Sequence, residues 1–249
     1  MKHFSWKTAL LIVFLLLLAL GGFRVYQWMQ GTMGPAQAAL DALQSDDYVN
    51  VIQQTGLVTF IPLNVKPETG FILYPGAGVD FRSYAPALHQ ISAQGYRVFV
   101  PFMPFNLAFF NVNAAKGIIA DNPEINNWAV GGHSLGGLLA YQYAVKDTDI
   151  DGMIFWASYP NGDQLIDRNI PVLSLSASLD GLATPADIDQ SRVLLPSDAY
   201  FIEIQGGNHA QFGAYGAQSG DNPATISFQK QTAQIIAATV GFLDTLSKQ

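Results

Sequence analysis

The stretch that leaves this chain the fewest options is 128–137, read as Trp-Ala-Val-Gly-Gly-His-Ser-Leu-Gly-Gly. A short apolar run, Trp128 to Val130, enters Gly132-His133-Ser134-Leu135-Gly136, and Leu138, Leu139, Ala140 and Tyr141 leave it at helical spacing. The pattern predicts a strand, a sharp turn and a helix. Glycines two residues either side of a serine suit such a turn, because a Cβ at either place collides with the adjoining elements. The turn holds the hydroxyl out at the carboxyl end of the strand. The helix behind it offers free N–H groups and positive potential to a developing oxyanion.

The rest of the chain supplies a sheet for that turn to stand on. Residues 70–74, 96–101, 152–157 and 171–176 are nearly continuous apolar runs, as expected of parallel strands buried on both faces, and 200–204 is the last strand. Two β-rich runs, 48–53 and 57–61, separated by Gln54-Thr55-Gly56, read as a hairpin at the sheet edge. Helical patterns fall at 36–43, 81–94, 113–120, 186–194 and 226–246, with Asp80 placed to cap the second and His89 a structural residue within it. The expectation is one α/β domain over 31–249, a mostly parallel central sheet with helices on both faces. Only residues 158–170 separate the strands at 152–157 and 171–176, which leaves no room for a large helical lid.

A serine nucleophile needs a base to take its proton and an acid to hold that base in the right tautomer. Of the four histidines, His3 lies in the N-terminal segment, His89 in a helix, and His133 at the turn, with its side chain directed away from that of Ser134. His209, in the loop after the last strand, remains. Asp180, at a strand end and followed by glycine, is the natural orienting acid; Asp163, Asp187 and Asp189 are the rivals, the latter two within a predicted helix. The loop Pro75-Gly76-Ala77-Gly78-Val79-Asp80 follows an inner strand, and the second oxyanion donor is assigned there to the Ala77 N–H, paired with that of Leu135. Between the next strand and helix runs a proline-broken aromatic segment. Its Met103, Phe105, Phe109 and Phe110 are the candidate apolar wall of a substrate pocket, since ligands of open α/β sheets bind beyond the carboxyl ends of the strands.

The first thirty residues have a different composition. Lys2 and Lys7 precede an uncharged run, 8–23, closed by Arg24, with Trp6 on one side and Tyr26 and Trp28 on the other. This reads as an uncleaved membrane anchor over 1–30 with the catalytic domain extracytoplasmic, or as a signal segment cut near Ala19-Leu20-Gly21 to give a secreted enzyme. Beyond it, nine basic residues face nineteen acidic ones, a net charge of −10, which argues against nucleic acid and anionic surfaces as partners. The absence of cysteine excludes disulfides, a zinc–thiolate site and a cysteine nucleophile. No metal or cofactor is expected.

The motifs 74–80, 103–110, 131–137, Trp156-Ala157-Ser158-Tyr159-Pro160 and 206–213 together resemble the α/β-hydrolase superfamily, and within it a bacterial dienelactone-hydrolase-like branch. The resemblance implies a serine hydrolase with Ser134, Asp180 and His209 in the roles reached above. It departs from true dienelactone hydrolases, which use cysteine, so their substrate does not carry over. The expected activity is cleavage of an ester-like bond in a small uncharged substrate, as a carboxylic ester hydrolase. Acyl transfer or amide cleavage by the same triad is the alternative, and a catalytically silent envelope-binding protein on the same fold is the alternative of another class.

Overall fold

The computed structural model describes residues 6–246, and the backbone alone at 8, 9, 19 and 23–30. Lys2 and His3 lie outside the described residues, as do the side chains of Arg24, Tyr26 and Trp28. The chain divides into two units, Met1–Thr32 and Met33–Gln249.

The first unit is one helix, α1 (Trp6–Gln30), in which the nine apolar side chains of residues 10–18 are all exposed. Among the described residues no helix is long and apolar enough to cross a membrane. The expected transmembrane segment is therefore not borne out.

The second unit is built on a single sheet. Strands β1 (Val49–Gln54), β2 (Leu57–Pro62), β3 (Thr69–Tyr74), β4 (Arg97–Pro101), β5 (Asn127–His133), β6 (Gly152–Trp156), β7 (Val172–Ala177) and β8 (Tyr200–Ile204) lie in the order β1-β2-β4-β3-β5-β6-β7-β8. β1 pairs antiparallel with β2, and β2 with β4; β4, β3, β5, β6, β7 and β8 are mutually parallel. The connecting helices are α2 (Gln37–Asp41), α3 (Ala85–Ala93), α4 (Ala114–Ala120), α5 (Leu135–Ala144), α6 (Gln164–Arg168), α7 (Pro185–Ser191) and α8 (Phe228–Leu246).

The apolar runs become strands because both sheet faces are covered. Successive side chains alternate: Phe71 and Leu73 of β3 enter one core with Leu88 and Ile91 of α3 and Ile235, Phe242 and Leu243 of α8. Ile72 and Tyr74 enter the other with Ala115 and Ile118 of α4 and Leu139 and Ala140 of α5. Burial of each large apolar side chain contributes about 1.5–3 kcal/mol, so the two faces together favour this register over a one-residue slip. The buried Trp156 indole N–H donates to Thr239 Oγ1 (3.2 Å), tying β6 to α8.

Two segments differ from the expected helices. The pattern at 81–94 splits into a short 3₁₀ turn, Phe81–Tyr84, and α3, because Pro86 has no N–H to carry an α-helical bond across the junction. Asp80 caps the turn as expected, accepting from the Arg82 N–H (2.9 Å). The short link between β6 and β7 contains α6, ended by Asn169 in the left-handed region at φ 50°. Because the inner strands are parallel, β3, β5, β6, β7 and β8 all deliver their following loops to the same edge, where the candidate site residues lie.

Candidate active site

Ser134 sits between β5 and α5 at φ 53° and ψ −127°, a conformation costing about 1–3 kcal/mol that persists only where the surroundings enforce it. Its N–H donates to the Trp156 carbonyl (3.0 Å), and its own carbonyl accepts from Ser158 Oγ (2.7 Å). The glycines permit this approach. A Cβ on Gly132 would stand 2.4 Å from the Gly136 carbonyl carbon, and one on Gly136 would stand 2.2 Å from the Tyr74 carbonyl oxygen. The turn predicted from 128–137 is thus formed, with the start of α5 pressed against the end of β3.

Asp180 and His209 arrive from the ends of β7 and β8 and meet. The His209 Nδ1–H donates to Asp180 Oδ2 (2.8 Å), with both side chains wholly buried. Asp180 Oδ1 accepts from the N–H groups of Leu182 and Ala183, each at 2.8 Å, so the carboxylate is held on both oxygens. That arrangement puts the His209 proton on Nδ1 and a lone pair on Nε2, which is buried and makes no hydrogen bond. Ser134 and His209 are accordingly not hydrogen-bonded to each other here. The rival aspartates are engaged elsewhere: Asp187 caps α7 through Thr184, and Asp189 pairs with Arg192 at 3.0 Å.

Sequence reasoning missed Asp221. Its Oδ1 accepts from the N–H groups of Gly181 (3.1 Å) and His209 (3.3 Å), and its Oδ2 from that of Ala210 (2.8 Å). One carboxylate therefore clamps the turn of the acid to the loop of the histidine. The only signal was an aspartate in a polar loop, which spacing alone cannot distinguish from a solvated one.

Among the described residues, the loop after β3 leaves one backbone donor unused. The Gly76 N–H donates to Tyr84 Oη (2.9 Å), Gly78 to the Asn106 carbonyl (2.8 Å), Val79 to the Gly76 carbonyl (3.2 Å) and Asp80 to the Met33 carbonyl (2.9 Å). Pro75 has no N–H, so Ala77 alone is left with a free donor. On the other side of the contact, Gly137 and Leu138 donate to the Ser134 carbonyl, leaving the Leu135 and Gly136 N–H groups free at the start of α5. Unpaired donors on two packed segments beside a serine form a ready place for negative charge.

A cavity of about 210 Å³ opens at Ser134, lined by Leu135, Leu138, Ala157, Ser158, Tyr159, Leu182 and Ala183. It is uncharged and small. Met103, Phe105, Phe109 and Phe110, expected as the pocket wall, are not part of this lining. Met103 is buried in the core, while Phe105 (51%), Phe109 (69%) and Phe110 (55%) are exposed, Phe105 and Phe109 each meeting Phe110 edge to face with ring centroids 5.4 and 5.7 Å apart. Residues 157–159, 182 and 183 supply the lining beside the start of α5 because they follow β6 and β7, the strands that flank Ser134 and carry Asp180. A larger cavity of about 520 Å³ lies between α2, α3 and α8 and includes Ser45, Asp46 and His89, but Ser45 Oγ is engaged by Asn50 Oδ1 (3.3 Å) and the Val51 N–H (2.9 Å), and His89 Nε2 faces Asp46 Oδ2 at 3.7 Å. Among the described residues no group of three or more His, Cys, Asp or Glu is placed to hold a metal ion.

The architecture is shared with solved hydrolases. It is similar to a CIB-like hydrolase assigned in Thermoplasma acidophilum, at 16% identity and a TM-score of 0.56, covering 80% of this chain and 98% of that one. A protein of Klebsiella pneumoniae subsp. pneumoniae assigned as a dienelactone hydrolase is similar at 13% identity and a TM-score of 0.55, covering 76% and 92%. Est1E of Butyrivibrio proteoclasticus, solved with ferulic acid bound, gives 12% identity and a TM-score of 0.57, covering 81% and 98%. No curated protein matches. The model of the alpha/beta hydrolase family matches residues 70–233, more than half of the sequence and inclusive of Ser134, Asp180 and His209, and the chain belongs to that family.

Proposed function

We propose that this alpha/beta hydrolase cleaves an ester-like bond of a small, uncharged substrate through a serine acyl-enzyme. The observation that carries the reading is the wholly buried His209–Asp180 pair, whose Nε2 is left unpartnered. His209 Nε2 takes the Ser134 proton as the oxygen attacks the carbonyl, and the Ala77 and Leu135 N–H groups hold the oxyanion. The histidine then protonates the leaving oxygen, and a water deprotonated by the same nitrogen releases the acid. A serine–histidine bond that forms only once substrate is bound is common to such sites. The small, uncharged cavity supports a short acyl group, and a neighbour of the same fold was solved with ferulic acid, the class of product this chemistry releases.

The test is mass spectrometry of the full chain after treatment with a fluorophosphonate, beside Ser134→Ala and His209→Ala. Label confined to Ser134 and largely lost without His209 is the expected result; no label on folded protein overturns the reading. Product analysis on ester and amide panels, with and without an alcohol acceptor, then separates hydrolysis from acyl transfer. We also propose that residues 1–30 direct the catalytic domain to the outer side of the cell membrane, as a signal segment cut near Ala19-Leu20-Gly21. Support comes from the uncharged run 8–23 behind Lys2 and Lys7, and from the exposed apolar side chains of 10–18. N-terminal sequencing of the membrane and secreted fractions tests it, and recovery of the intact chain only in the cytoplasm overturns it.

A further inference from the structure

Beneath the candidate base lies a second histidine that the proposed mechanism does not use. His133, the residue before Ser134, is buried, with its ring centroid 4.4 Å from that of His209, and it stacks at 16° on Phe212. Its Nδ1 is 2.9 Å from Tyr84 Oη, and the same phenol oxygen accepts from the Gly76 N–H at 2.9 Å. A phenol has one proton. With its oxygen already accepting from Gly76, Tyr84 has its proton to donate, and the acceptor within reach is His133 Nδ1. This places the His133 proton on Nε2. Burial, above all, and then the proximity of His209 hold the His133 pKa well below its ordinary value. The His209 backbone pulls the other way. Burial likewise raises the Tyr84 pKa, so phenol and imidazole are both neutral.

Gly76 is the residue before Ala77, and the peptide between them carries the unpaired Ala77 N–H. That peptide is held at its carbonyl, which accepts from the Val79 N–H at 3.2 Å, and the Pro75–Gly76 peptide before it is held by Tyr84 through the Gly76 N–H, so Gly76 is fixed on both sides. A Cβ on Gly76 would stand 2.7 Å from His133 Nδ1 and 3.2 Å from Tyr84 Oη, so only glycine lets the loop close on this pair. We propose that Tyr84 and His133 are positioning residues that aim the Ala77 N–H at the oxyanion, linking the loop after β3 to the turn that carries Ser134. The inference rests on the serine-hydrolase reading. His133 anchors the Tyr84 hydroxyl, Tyr84 anchors Gly76, and Gly76 sets the plane of the donor. Because His133 stays neutral, it adds no positive charge beneath His209 when that ring is protonated during acylation.

The experiment uses the full chain as wild type, Tyr84→Phe, His133→Asn and His133→Leu, with p-nitrophenyl acetate as substrate. A trifluoromethyl ketone, which forms a tetrahedral oxyanion on serine, serves as the second probe. Tyr84→Phe is expected to lower kcat about 10–100-fold with KM changed less than about threefold, below the 10²–10³ for outright loss of one donor. It weakens the ketone by a similar factor while leaving affinity for acetate, which has no tetrahedral oxyanion, nearly unchanged. Asparagine places an amide oxygen near the position of Nδ1, so His133→Asn retains about tenfold more activity than His133→Leu. Fluorophosphonate labelling of wild type is scored first. If Ser134 is not labelled, the hydrolase reading and this inference fall together. If wild type is labelled and folded Tyr84→Phe keeps kcat within twofold, or loses equally for ketone and acetate, the inference alone is overturned.

Discussion

Of the three loops at the same edge of the sheet that hold non-glycine residues in the left-handed half of backbone space, those after β4 and β5 do different things with the strain, while the third holds Ala157 (φ 45°) beside Ser134. At the serine turn, Ser134 (φ 53°) is surrounded by backbone and buried side chains, and both of its peptide groups are hydrogen-bonded. In the aromatic loop, Phe105 (φ 57°) and Asn106 (φ 53°) twist the chain while the rings of Phe105, Phe109 and Phe110 stand exposed. The aromatic loop still has a fixed backbone, because the Asn106 carbonyl accepts from the Gly78 N–H in the loop that carries Ala77. Strain by itself therefore does not mark out the candidate site. What distinguishes the serine turn is strain beside polar groups left without partners, His209 Nε2 and the Ala77 and Leu135 N–H groups.

The largest effects are expected at the serine turn and the pair behind it. Ser134→Ala and His209→Ala should each lower kcat on a short activated ester by about 10⁴–10⁶, and Asp180→Asn by about 10⁴, with melting behaviour near wild type for Ser134→Ala. A Ser134→Ala enzyme retaining a tenth of its turnover would place the chemistry elsewhere and dissolve the contrast between the loops. Next comes Ala77→Pro. Gly76 to Val79 form a turn with Gly78 at φ 73° in third place, and proline suits the second place of such a turn. The substitution deletes the one free N–H and little else. A fall in kcat of about 10²–10³ with the fold kept, read by steady-state kinetics beside circular dichroism, is the expected outcome; an unchanged kcat would remove Ala77 from the oxyanion site.

How far the sequence foretold this arrangement depends on whether the physics was local. The turn at 128–137 was legible because its glycines answer to steric demands within one strand–helix junction. The strands were legible because burial on both faces writes a continuous apolar run. Asp180 and His209 could be chosen because each had few rivals and both followed strands. The cavity lining was not legible: it is assembled from the ends of β5, β6 and β7, and nothing in the aromatic richness of 102–110 reveals that its rings face outward. Asp221 and Tyr84 were missed for the same reason. Their partners lie on other loops, at Gly181, His209 and Gly76, and only the folded chain brings those donors together.

A smaller effect follows from His133 and again separates the two loops. Its folded-state pKa lies well below 6.5, so on lowering the pH the unfolded chain takes up a proton that the folded chain refuses. The associated stability is complete above the unfolded value and is lost as pH falls below about 6.5, with a slope of up to about 1.4 kcal/mol per unit. Urea unfolding at pH 5.5 and 7.5 should show this slope in wild type and a correspondingly flatter one in His133→Asn. An equal slope in both would mean that His133 titrates as freely in the fold as out of it. Phe109→Ala, in the aromatic loop, should leave the slope as it is.

The smallest expected effect is that of Phe109→Ala itself, and it bears most directly on what the aromatic loop is for. Phe109 is 69% exposed, and its ring contact is with Phe110 at 5.7 Å, so truncation should cost about 0.5 kcal/mol or less in stability. The cavity at Ser134 lacks this residue, so kcat/KM for an acetyl ester should stay within about threefold, in contrast to the loss at Ala77 on the neighbouring loop. Comparing an acetyl ester of a small alcohol with one of a bulky aromatic alcohol sharpens the reading. A loss confined to the bulky leaving group would make the ring cluster an outer contact for the alcohol, reached only by substrates that extend past the 210 Å³ cavity. A tenfold loss on both esters would bring the aromatic loop back to the reacting centre, and the contrast between an exposed, shaping loop and a buried, reacting one would no longer hold.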